Sequence, residues 1–177
     1  QENLIFLDGK SEHRNQEQTN EVFGEKWGKV NEYNDVDKLY EFQYEWYLKL
    51  YGFDSELELA KYLDGKVIID AGCGLGYKAS WFAKLAPTAL VIGMDFSEAV
   101  IHAANNYKEL KNLFFVRGDI ADTKLKESVL DYVSCDQVIM HTEHPDKTFA
   151  HLSSLLKPGC EFACYVYAKK ALPRELL

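Results

Sequence analysis

Three glycines at alternate positions follow a short apolar run and could bring the backbone close to a ligand. Val67-Ile68-Ile69 leads into Asp70-Ala71-Gly72-Cys73-Gly74-Leu75-Gly76. Glycine permits the tight turn and the close approach to a ligand that are needed after the first strand of an open parallel sheet. The G-x-G-x-G spacing differs from the dinucleotide fingerprint, which has two residues between its last glycines, and no Gly-Lys-Ser/Thr ends the loop. The loop therefore disfavours both a nicotinamide site and a nucleoside triphosphate site.

Acidic side chains recur where successive apolar runs end, the position from which a parallel sheet presents ligand-binding groups. They are Asp70 before the glycine loop, Asp95 after the second run, Asp119 in Gly118-Asp119-Ile120 after the third, and Asp136 with Gln137 after the fourth. An acid that ends the second strand can accept hydrogen bonds from both hydroxyls of a ribose. A buried acid such as Asp70 needs amides or a cation nearby. Together these residues predict one polar rim around a nucleoside-shaped site.

His141 is the candidate general base. It follows the fourth apolar run on the side from which a second substrate would approach, and histidine titrates near neutrality. An interpretation in which His141 only caps or packs stays open. The histidines lack the spacing of zinc ligands and the four cysteines form no C-x-x-C pair, so the sequence predicts no metal site and reduced, structural thiols.

These residues need a scaffold, and the sequence offers apolar runs that alternate with helical stretches. We predict strands over residues 67–69, 89–94, 113–116, 130–135 and 162–168. We predict helices over 36–51, 55–63 and 78–85, from Ser97 as N-cap to about residue 110, and from Pro145 through a stretch that buries Phe149, Leu152, Leu155 and Leu156. Strands without polar alternation must be buried on both faces, which is typical of a parallel sheet covered by helices. The predicted fold class is α/β, with a doubly wound, mostly parallel sheet.

Size and charge narrow the choice of ligand. The 177 residues suffice for one domain, which we divide into a polar arm and anchor segment, residues 1–35, and a ligand-binding domain, residues 36–177. A net charge of -8 would repel a phosphate backbone, which argues against nucleic acid and for a small molecule. No apolar run is long enough to span a bilayer and no secretory signal opens the chain, so we expect a cytoplasmic protein.

Four segments, in order, resemble the motifs of class I S-adenosylmethionine-dependent methyltransferases. They are Val-Ile-Ile-Asp-Ala-Gly-Cys-Gly-Leu-Gly from residue 67, Val-Ile-Gly-Met-Asp-Phe-Ser from residue 91, Val-Arg-Gly-Asp-Ile from residue 116, and Leu-Leu-Lys-Pro-Gly from residue 155. The stretch Gln137-Val138-Ile139-Met140-His141-Thr142, with His144-Pro145, is similar to small-molecule members such as the ubiquinone and menaquinone C-methylating enzymes.

The resemblance implies that S-adenosylmethionine, or its product S-adenosylhomocysteine, is the cofactor. On this sequence it implies that the methionine part lies against the loop residues Asp70, Gly72, Cys73, Gly74 and Gly76, with Gln137 near the sulfonium. It implies that Asp95 holds the ribose, that Phe96 packs beside the adenine, and that Asp119 and the backbone of Ile120 bind the adenine amino edge. Tyr40 and Trp46 would sit on a helix across the cofactor, although an interpretation of both as packing residues stays open.

The implied function is methyl transfer to a small-molecule acceptor by in-line displacement, with the acceptor unknown. The superfamily also implies a C-terminal antiparallel hairpin, and we expect the chain, which ends at Leu177, to be truncated before it. The uncovered sheet edge could then support a homodimer, and a non-catalytic cofactor-binding or partner-binding module is the alternative function. A nicotinamide oxidoreductase is disfavoured by the glycine spacing. A nucleic-acid methyltransferase is disfavoured because Asp136-Gln137-Val138-Ile139 replaces an Asn/Asp-Pro-Pro-Tyr/Phe signature.

Overall fold

A computed structural model describes residues 2–7 and 36–167, with the side chains of the second range described from residue 40 onwards. The strands are β1 (Leu4–Phe6), β2 (Val67–Ala71), β3 (Leu90–Asp95), β4 (Leu113–Arg117), β5 (Leu130–Asp136) and β6 (Leu156–Tyr165). The helices are α1 (Val36–Tyr51), α2 (Glu56–Leu63), α3 (Tyr77–Leu85), α4 (Ala99–Asn106) and α5 (Pro145–Ser154), with a 3-10 turn at Ile139–His141. Most of the predicted polar arm and anchor segment, residues 8–35, lies outside the described residues. Among the described helices, none combines the length and the apolar character needed to cross a bilayer.

The six described strands form one sheet in the order β1-β4-β3-β2-β5-β6, and every pairing in it is parallel. The chain winds outward in one direction from β2 through β3 to β4, and in the other direction through β5 to β6. The carboxyl ends of β2 and β5 therefore flank a topological switch point, where open α/β sheets bind their ligands. Asp70 lies at this point, in register with Gly93 of β3 and Ser134 of β5.

Helices cover both faces of the sheet, as the unbroken apolar runs predict. Ile68 and Ile69 of β2 are both fully buried, but they join different clusters because successive side chains of a strand point to opposite faces. Ile68 shares its cluster with Phe82 of α3, and Ile69 shares the other with Leu152 of α5. The predicted α/β, doubly wound fold is confirmed.

One strand of the sheet has no counterpart among the sequence predictions. Strand β1 pairs in parallel with β4, and the backbone N–H groups of Phe115 and Leu7 donate to the carbonyls of Asn3 (2.7 Å) and Arg117 (3.0 Å). The side chain of Asn3 also donates to the carbonyl of Ala104 at 3.1 Å. A strand of three residues is too short to show the periodicity on which a sequence prediction depends.

The prediction for Ser97 and for the length of α4 was wrong. The helix begins at Ala99 and ends at Asn106, and Glu98 occupies its N-cap position. Ser97 uses its backbone N–H (2.8 Å) and its hydroxyl (2.6 Å) to donate to Asp95, so it is engaged at the strand end instead of capping the helix.

The boundary between α5 and β6 also differs from the prediction. Strand β6 begins at Leu156, so Leu156 belongs to the strand, and the pairing with β5 shifts between Leu130 and Tyr132. Proline has no N–H to donate and Gly159 has a φ of 80°, so Pro158-Gly159 interrupts the ladder without ending the strand. Leu152 and Leu155 are buried as predicted, whereas Phe149 is 47% exposed and stacks on Phe162 at 4.9 Å.

Candidate functional site

The glycine loop is held in one shape by its own backbone. Gly72, Gly74 and Gly76 have φ values of 80°, 52° and 75°, which lie in the left-handed region that favours glycine. The N–H groups of Gly72 (2.7 Å) and Cys73 (3.0 Å) both donate to the carbonyl of Met94 in β3. The N–H of Gly76 donates to the carbonyl of Cys73 at 2.8 Å, and α3 begins at the next residue. The loop therefore joins the ends of β2 and β3 and leads directly into a helix.

Side chains of the protein itself fill the space beside two of these glycines. A Cβ at Gly72 would lie 2.4 Å from Cγ2 of Val138, and a Cβ at Gly76 would lie 2.7 Å from Cε1 of Phe115 and 2.9 Å from Cβ of Ala103. Val138 follows β5, whereas Phe115 belongs to β4. Glycine is thus required here by internal packing as well as by backbone conformation.

Asp95 is bonded to the glycine loop. Its Oδ2 accepts a hydrogen bond from the backbone N–H of Gly74 at 2.7 Å, and its Oδ1 accepts both bonds from Ser97. Gly74 and Asp95 are twenty-one residues apart in the sequence, and the fold brings them into contact. An oxygen of a carboxylate has more than one acceptor direction, so Asp95 retains the capacity to accept from hydroxyl groups of a ligand.

Asp119 and Ile120 lie at the end of β4, next along the same edge of the sheet. Oδ1 of Asp119 accepts from the N–H of Ala121 at 2.8 Å, and its carbonyl accepts from the N–H of Asp122 at 3.0 Å. Ile120 is 6% exposed and packs in the same hydrophobic cluster as Ile69 and Met94. Phe96, which follows Asp95, is half-buried. The predicted adenine-binding residues therefore follow the paired strands β3 and β4, whose ends are joined by a hydrogen bond of 3.0 Å from the N–H of Gly118 to the carbonyl of Asp95.

Two acids and the lysine that lies between them form a buried cluster at the switch point between β2 and β5. We call Asp70, Lys78 and Asp136 the buried triad. The Nζ atom of Lys78 donates to Oδ2 of Asp136 at 2.6 Å and lies 3.1 Å from Oδ1 of Asp70. The exposed fractions of the three side chains are 11% for Lys78, 1% for Asp70 and 9% for Asp136. Apart from this contact with Lys78, neither oxygen of Asp70 accepts a hydrogen bond from the described residues.

Burial and pairing oppose each other in the ionisation of this triad. Burial raises the pKa of Asp70, and the adjacent Lys78 ammonium offsets only part of that effect. Burial lowers the pKa of Lys78, but the two carboxylates outweigh it and hold that pKa well above its ordinary value. Lys78 is therefore charged, and the triad carries a net charge of -1 when both acids are ionised.

Hydroxyl groups from α1 and β5 complete the surroundings of Asp136. Oδ1 of Asp136 accepts from the phenol of Tyr51, and its Oδ2 accepts from the hydroxyl of Ser134 at 3.5 Å. The hydroxyls of Tyr47 and Tyr132 form a further hydrogen bond of 2.6 Å beside Ser134. Burial, and then the bond to Asp136, raises the pKa of Tyr51, so its phenol stays a donor. Helix α1 is thereby fixed to the carboxyl end of β5.

Helix α1 brings aromatic residues to the rim. Tyr40 stacks on Tyr77, the first residue of α3, with ring centroids 4.9 Å apart and planes inclined by 10°. Trp46 meets the ring of Tyr165 edge-on at 5.1 Å. The backbone N–H of Gln137 donates to the carbonyl of Tyr165 at 2.9 Å. Tyr40 therefore lies beside the glycine loop, while Trp46 and Gln137 lie together at the ends of β5 and β6.

Three of the predicted residues, Gln137, His141 and Cys73, lie in different environments. Gln137 has a φ of 59°, an unusual conformation for a residue other than glycine, and its side-chain Oε1 accepts from the phenol of Tyr167. His141 is exposed at the end of the 3-10 turn, where its backbone N–H donates to the carbonyl of Val138 at 2.8 Å. Cys73 is 4% exposed, and burial raises the pKa of its thiol well above the ordinary value. The Cys73 thiol is thus neutral.

Lys78 and Tyr51 are absent from the set of residues that the sequence points to, although both bond to the acids of the rim. A signal for Lys78 existed in α3, where it is followed by Ala79-Ser80-Trp81-Phe82-Ala83, all of them buried. A lysine in such a stretch must find a buried acid, because an unpaired buried charge is costly. For Tyr51 we find no equivalent signal, since a tyrosine in an aromatic helix is usually a packing residue.

Comparison with known proteins supplies an independent finding. A family model described as a methyltransferase domain matches residues 63–177. The chain is 31% identical over 99 residues to the ubiquinone biosynthesis O-methyltransferase of Coxiella burnetii, a match that covers 55% of this chain and 42% of that protein. It is 28% identical over 106 residues to the sterol 24-C-methyltransferase erg6 of Aspergillus fumigatus, covering 58% of this chain and 28% of that protein. The chain thus spans less than half the length of these two relatives.

A solved structure of an S-adenosylmethionine-dependent methyltransferase from Aquifex aeolicus shares the fold. Its TM-score with this chain is 0.55 at 21% sequence identity, and the match covers 73% of this chain and 79% of that one.

Proposed function

The chain belongs to the class I S-adenosylmethionine-dependent methyltransferase superfamily, through a methyltransferase-domain model that matches residues 63–177, and we propose that it transfers methyl to a small-molecule acceptor. The observation that carries the proposal is the hydrogen bond of 2.7 Å from the N–H of Gly74 to Asp95. This bond joins the loop that can approach a ligand to the acid that can hold a ribose, which supports assigning both to one nucleoside site.

The residues at the rim suit the nucleoside part of S-adenosylmethionine. In this proposal Asp95 accepts from the ribose hydroxyls, and Asp119 with the backbone of Ile120 accepts and donates at the adenine amino edge. Phe96 provides an apolar surface beside the adenine. The order of Gly74, Asp95 and Asp119 along β2, β3 and β4 supports this assignment, because the three lie at adjacent strand ends of one sheet.

The methionine part is assigned to the switch point beside β5. Asp70 supports this, since it is a buried acid whose oxygens, apart from the contact with Lys78, accept no hydrogen bond from the described residues. The backbone of Gly72, Cys73 and Gly76 bounds the same region, together with Gln137. We assign Tyr40 and Trp46 to the side from which α1 would cover the ligand, although both already pack against tyrosines of the protein.

When bound, the cofactor would supply an electrophilic methyl group on a sulfonium: an electron pair of the acceptor would form the new bond to the methyl carbon, and the electron pair of the broken carbon–sulfur bond would stay on sulfur. The protein has to align the acceptor in line with that bond and to exclude water. A base is needed only for an acceptor that must lose a proton, and His141 is assigned to that role. We expect His141→Ala to leave cofactor affinity unchanged and to lower turnover by about a hundredfold or more. Unchanged turnover would remove His141 from the mechanism.

Calorimetric titration with S-adenosylmethionine and S-adenosylhomocysteine tests the binding part of the proposal. We expect Asp95→Asn to weaken both ligands by about tenfold or more, because it removes charge-assisted hydrogen bonds to the ribose. Asp122→Asn is the matched control, since Asp122 lies near the end of β4 but is exposed and paired with Lys124. Absence of heat with the unmodified protein, or equal losses in the two variants, would contradict the proposal.

The acceptor can be sought with a screen that detects S-adenosylhomocysteine as the by-product. The names of the relatives support testing quinone-precursor and sterol-like small molecules first, and the screen should use the longest available form of the protein. Release of the by-product that depends on an added small molecule would establish the activity, whereas release with none of them would leave the enzymatic proposal without support. A cytoplasmic location and a homodimer through the sheet edge stay predictions.

A further inference from the structure

The buried triad is the most highly charged group of contacts in the interior of the described residues. Two carboxylates and one ammonium lie within ion-pair distance, so one negative charge is left without an equal partner in the triad. Tyr51 and Ser134 donate hydrogen bonds to Asp136 but bring no charge. Because the three charged side chains are almost fully buried, water screens this residual charge less than it would at the surface.

Methyl transfer changes the charge of the ligand at one atom. The donor has a positively charged sulfonium, whereas the product has a neutral thioether, and the nucleoside and amino-acid parts are otherwise the same. A negative charge near the sulfur therefore stabilises the bound donor and leaves the bound product nearly unaffected. The ratio of the two dissociation constants, product over donor, measures this effect and cancels contributions that the two ligands share.

We propose that the charge balance of the buried triad determines how strongly the site prefers the cationic donor over its neutral product. The inference rests on the proposed function, which assigns the sulfur-bearing part of the ligand to the switch point where the triad lies. Asp70 and Asp136 share the single cation, so removing the carboxylate of Asp136 removes the unbalanced charge, and Lys78 limits that charge to one unit. Asp136 and Lys78 are specificity-determining residues in this scheme, and neither has to touch the reacting atoms.

The scheme predicts opposite effects for two substitutions that each remove one charge. Asp136→Asn makes the triad neutral while an amide oxygen remains to accept from Tyr51, so the preference for the donor should fall. Lys78→Gln leaves two carboxylates without their cation, so the preference for the donor should rise. A residue that only supports the fold would weaken both ligands together and would not move their ratio in either direction.

The test is calorimetric titration of the unmodified protein and both variants with S-adenosylmethionine and with S-adenosylhomocysteine, at about pH 8, well above the ordinary pKa of a carboxyl group in water. We expect the ratio of dissociation constants, product over donor, to fall about fivefold in Asp136→Asn and to rise about fivefold in Lys78→Gln. Asp131→Asn is the matched control. Asp131 is also an acid of β5 paired with a lysine, Lys157, at 2.7 Å, but it lies about 16 Å along the strand from Asp136.

The outcomes separate this inference from the proposed function. Binding of both ligands with ratios that stay within twofold of the unmodified protein, or a change as large in Asp131→Asn, would overturn the inference and leave the proposed function intact. No binding of either ligand by the unmodified protein would overturn both. Circular dichroism tests whether each variant is folded. If Lys78→Gln does not fold, the decrease in Asp136→Asn decides the matter, and if Asp136→Asn does not fold, the increase in Lys78→Gln does.

Discussion

Replacing Gly72 by alanine should destabilise the fold by about 2–5 kcal/mol, through a conformational cost and a steric cost. The first is conformational, because Gly72 has a φ of 80° and an alanine in the left-handed region costs about 1–2 kcal/mol. The second is steric, because the new Cβ would lie 2.4 Å and 2.5 Å from the two methyl groups of Val138. Valine has a stiff χ1 and cannot turn both methyls away, so we add an overpacking cost of about 1–3 kcal/mol.

Gly159→Ala provides the matched control for this prediction. Gly159 has the same φ of 80°, but a Cβ built on it meets nothing within 4 Å. Its substitution should therefore cost only the conformational part, about 1–2 kcal/mol. The difference between the two variants isolates the contact with Val138.

Urea denaturation followed by circular dichroism measures both losses, and a Val138→Ala background tests their assignment. In that background Gly72→Ala should recover part of its steric cost, because both methyl groups of Val138 are removed while the contact of 2.9 Å with the Cβ at position 138 remains. Equal losses for Gly72→Ala and Gly159→Ala would refute the packing argument. So would a cost at Gly72 that persists in full when Val138 is alanine.

Two further predictions concern the buried triad. Lys78→Met should destabilise the protein by about 3–5 kcal/mol, because it leaves buried carboxylates unpaired, whereas Lys157→Met, which breaks the partly exposed pair with Asp131, should cost less than about 1 kcal/mol in the same denaturation assay. Equal losses would contradict the difference in burial. Asp70→Asn should change the pH dependence of stability, because burial raises the pKa of Asp70 above 3.8 in the folded protein. A carboxyl group with a raised pKa stabilises the folded state at low pH and loses that contribution as the pH rises, so the unmodified protein should lose stability relative to Asp70→Asn above pH 3.8. Denaturation midpoints that run parallel across this range would contradict the prediction.

The fold could be predicted from the sequence because its strands are buried on both faces. Ile68 and Ile69 belong to different clusters, so the run that contains them has no polar position to mark an exposed face. This is the pattern from which we predicted a parallel sheet covered by helices. The edge strand β1 could not be predicted, because its three residues carry no such pattern and its partner, β4, lies more than a hundred residues away along the chain.

The candidate site could be predicted as a set of strand ends, but not as a set of contacts. Asp70, Asp95 and Asp119 each follow an apolar run, and the parallel sheet brings their strand ends to one edge. The partners of these acids come from elsewhere in the chain. Lys78, in the helix that follows the glycine loop, pairs with Asp70. Ser97 donates to Asp95 and does not occupy the predicted N-cap position. Which partner a side chain binds depends on distances in the folded protein, and the sequence pattern does not contain those distances.

For the glycine loop, the sequence indicates that a ligand can approach closely, and the structure indicates that the loop is ordered before a ligand binds. From the sequence, glycine at these positions indicates that a ligand can come close to the backbone. In the structure, Val138 and Phe115 fill the space beside Gly72 and Gly76, and the carbonyl of Met94 and the carboxylate of Asp95 hold the loop amides. The shape of the loop is thus set by the protein's own contacts, so a ligand does not have to order it on binding. A site whose backbone is already ordered loses less conformational entropy when it binds, which leaves more of the interaction energy for affinity. Gly72→Ala should therefore weaken cofactor binding through a displaced loop, even under conditions in which the variant remains folded.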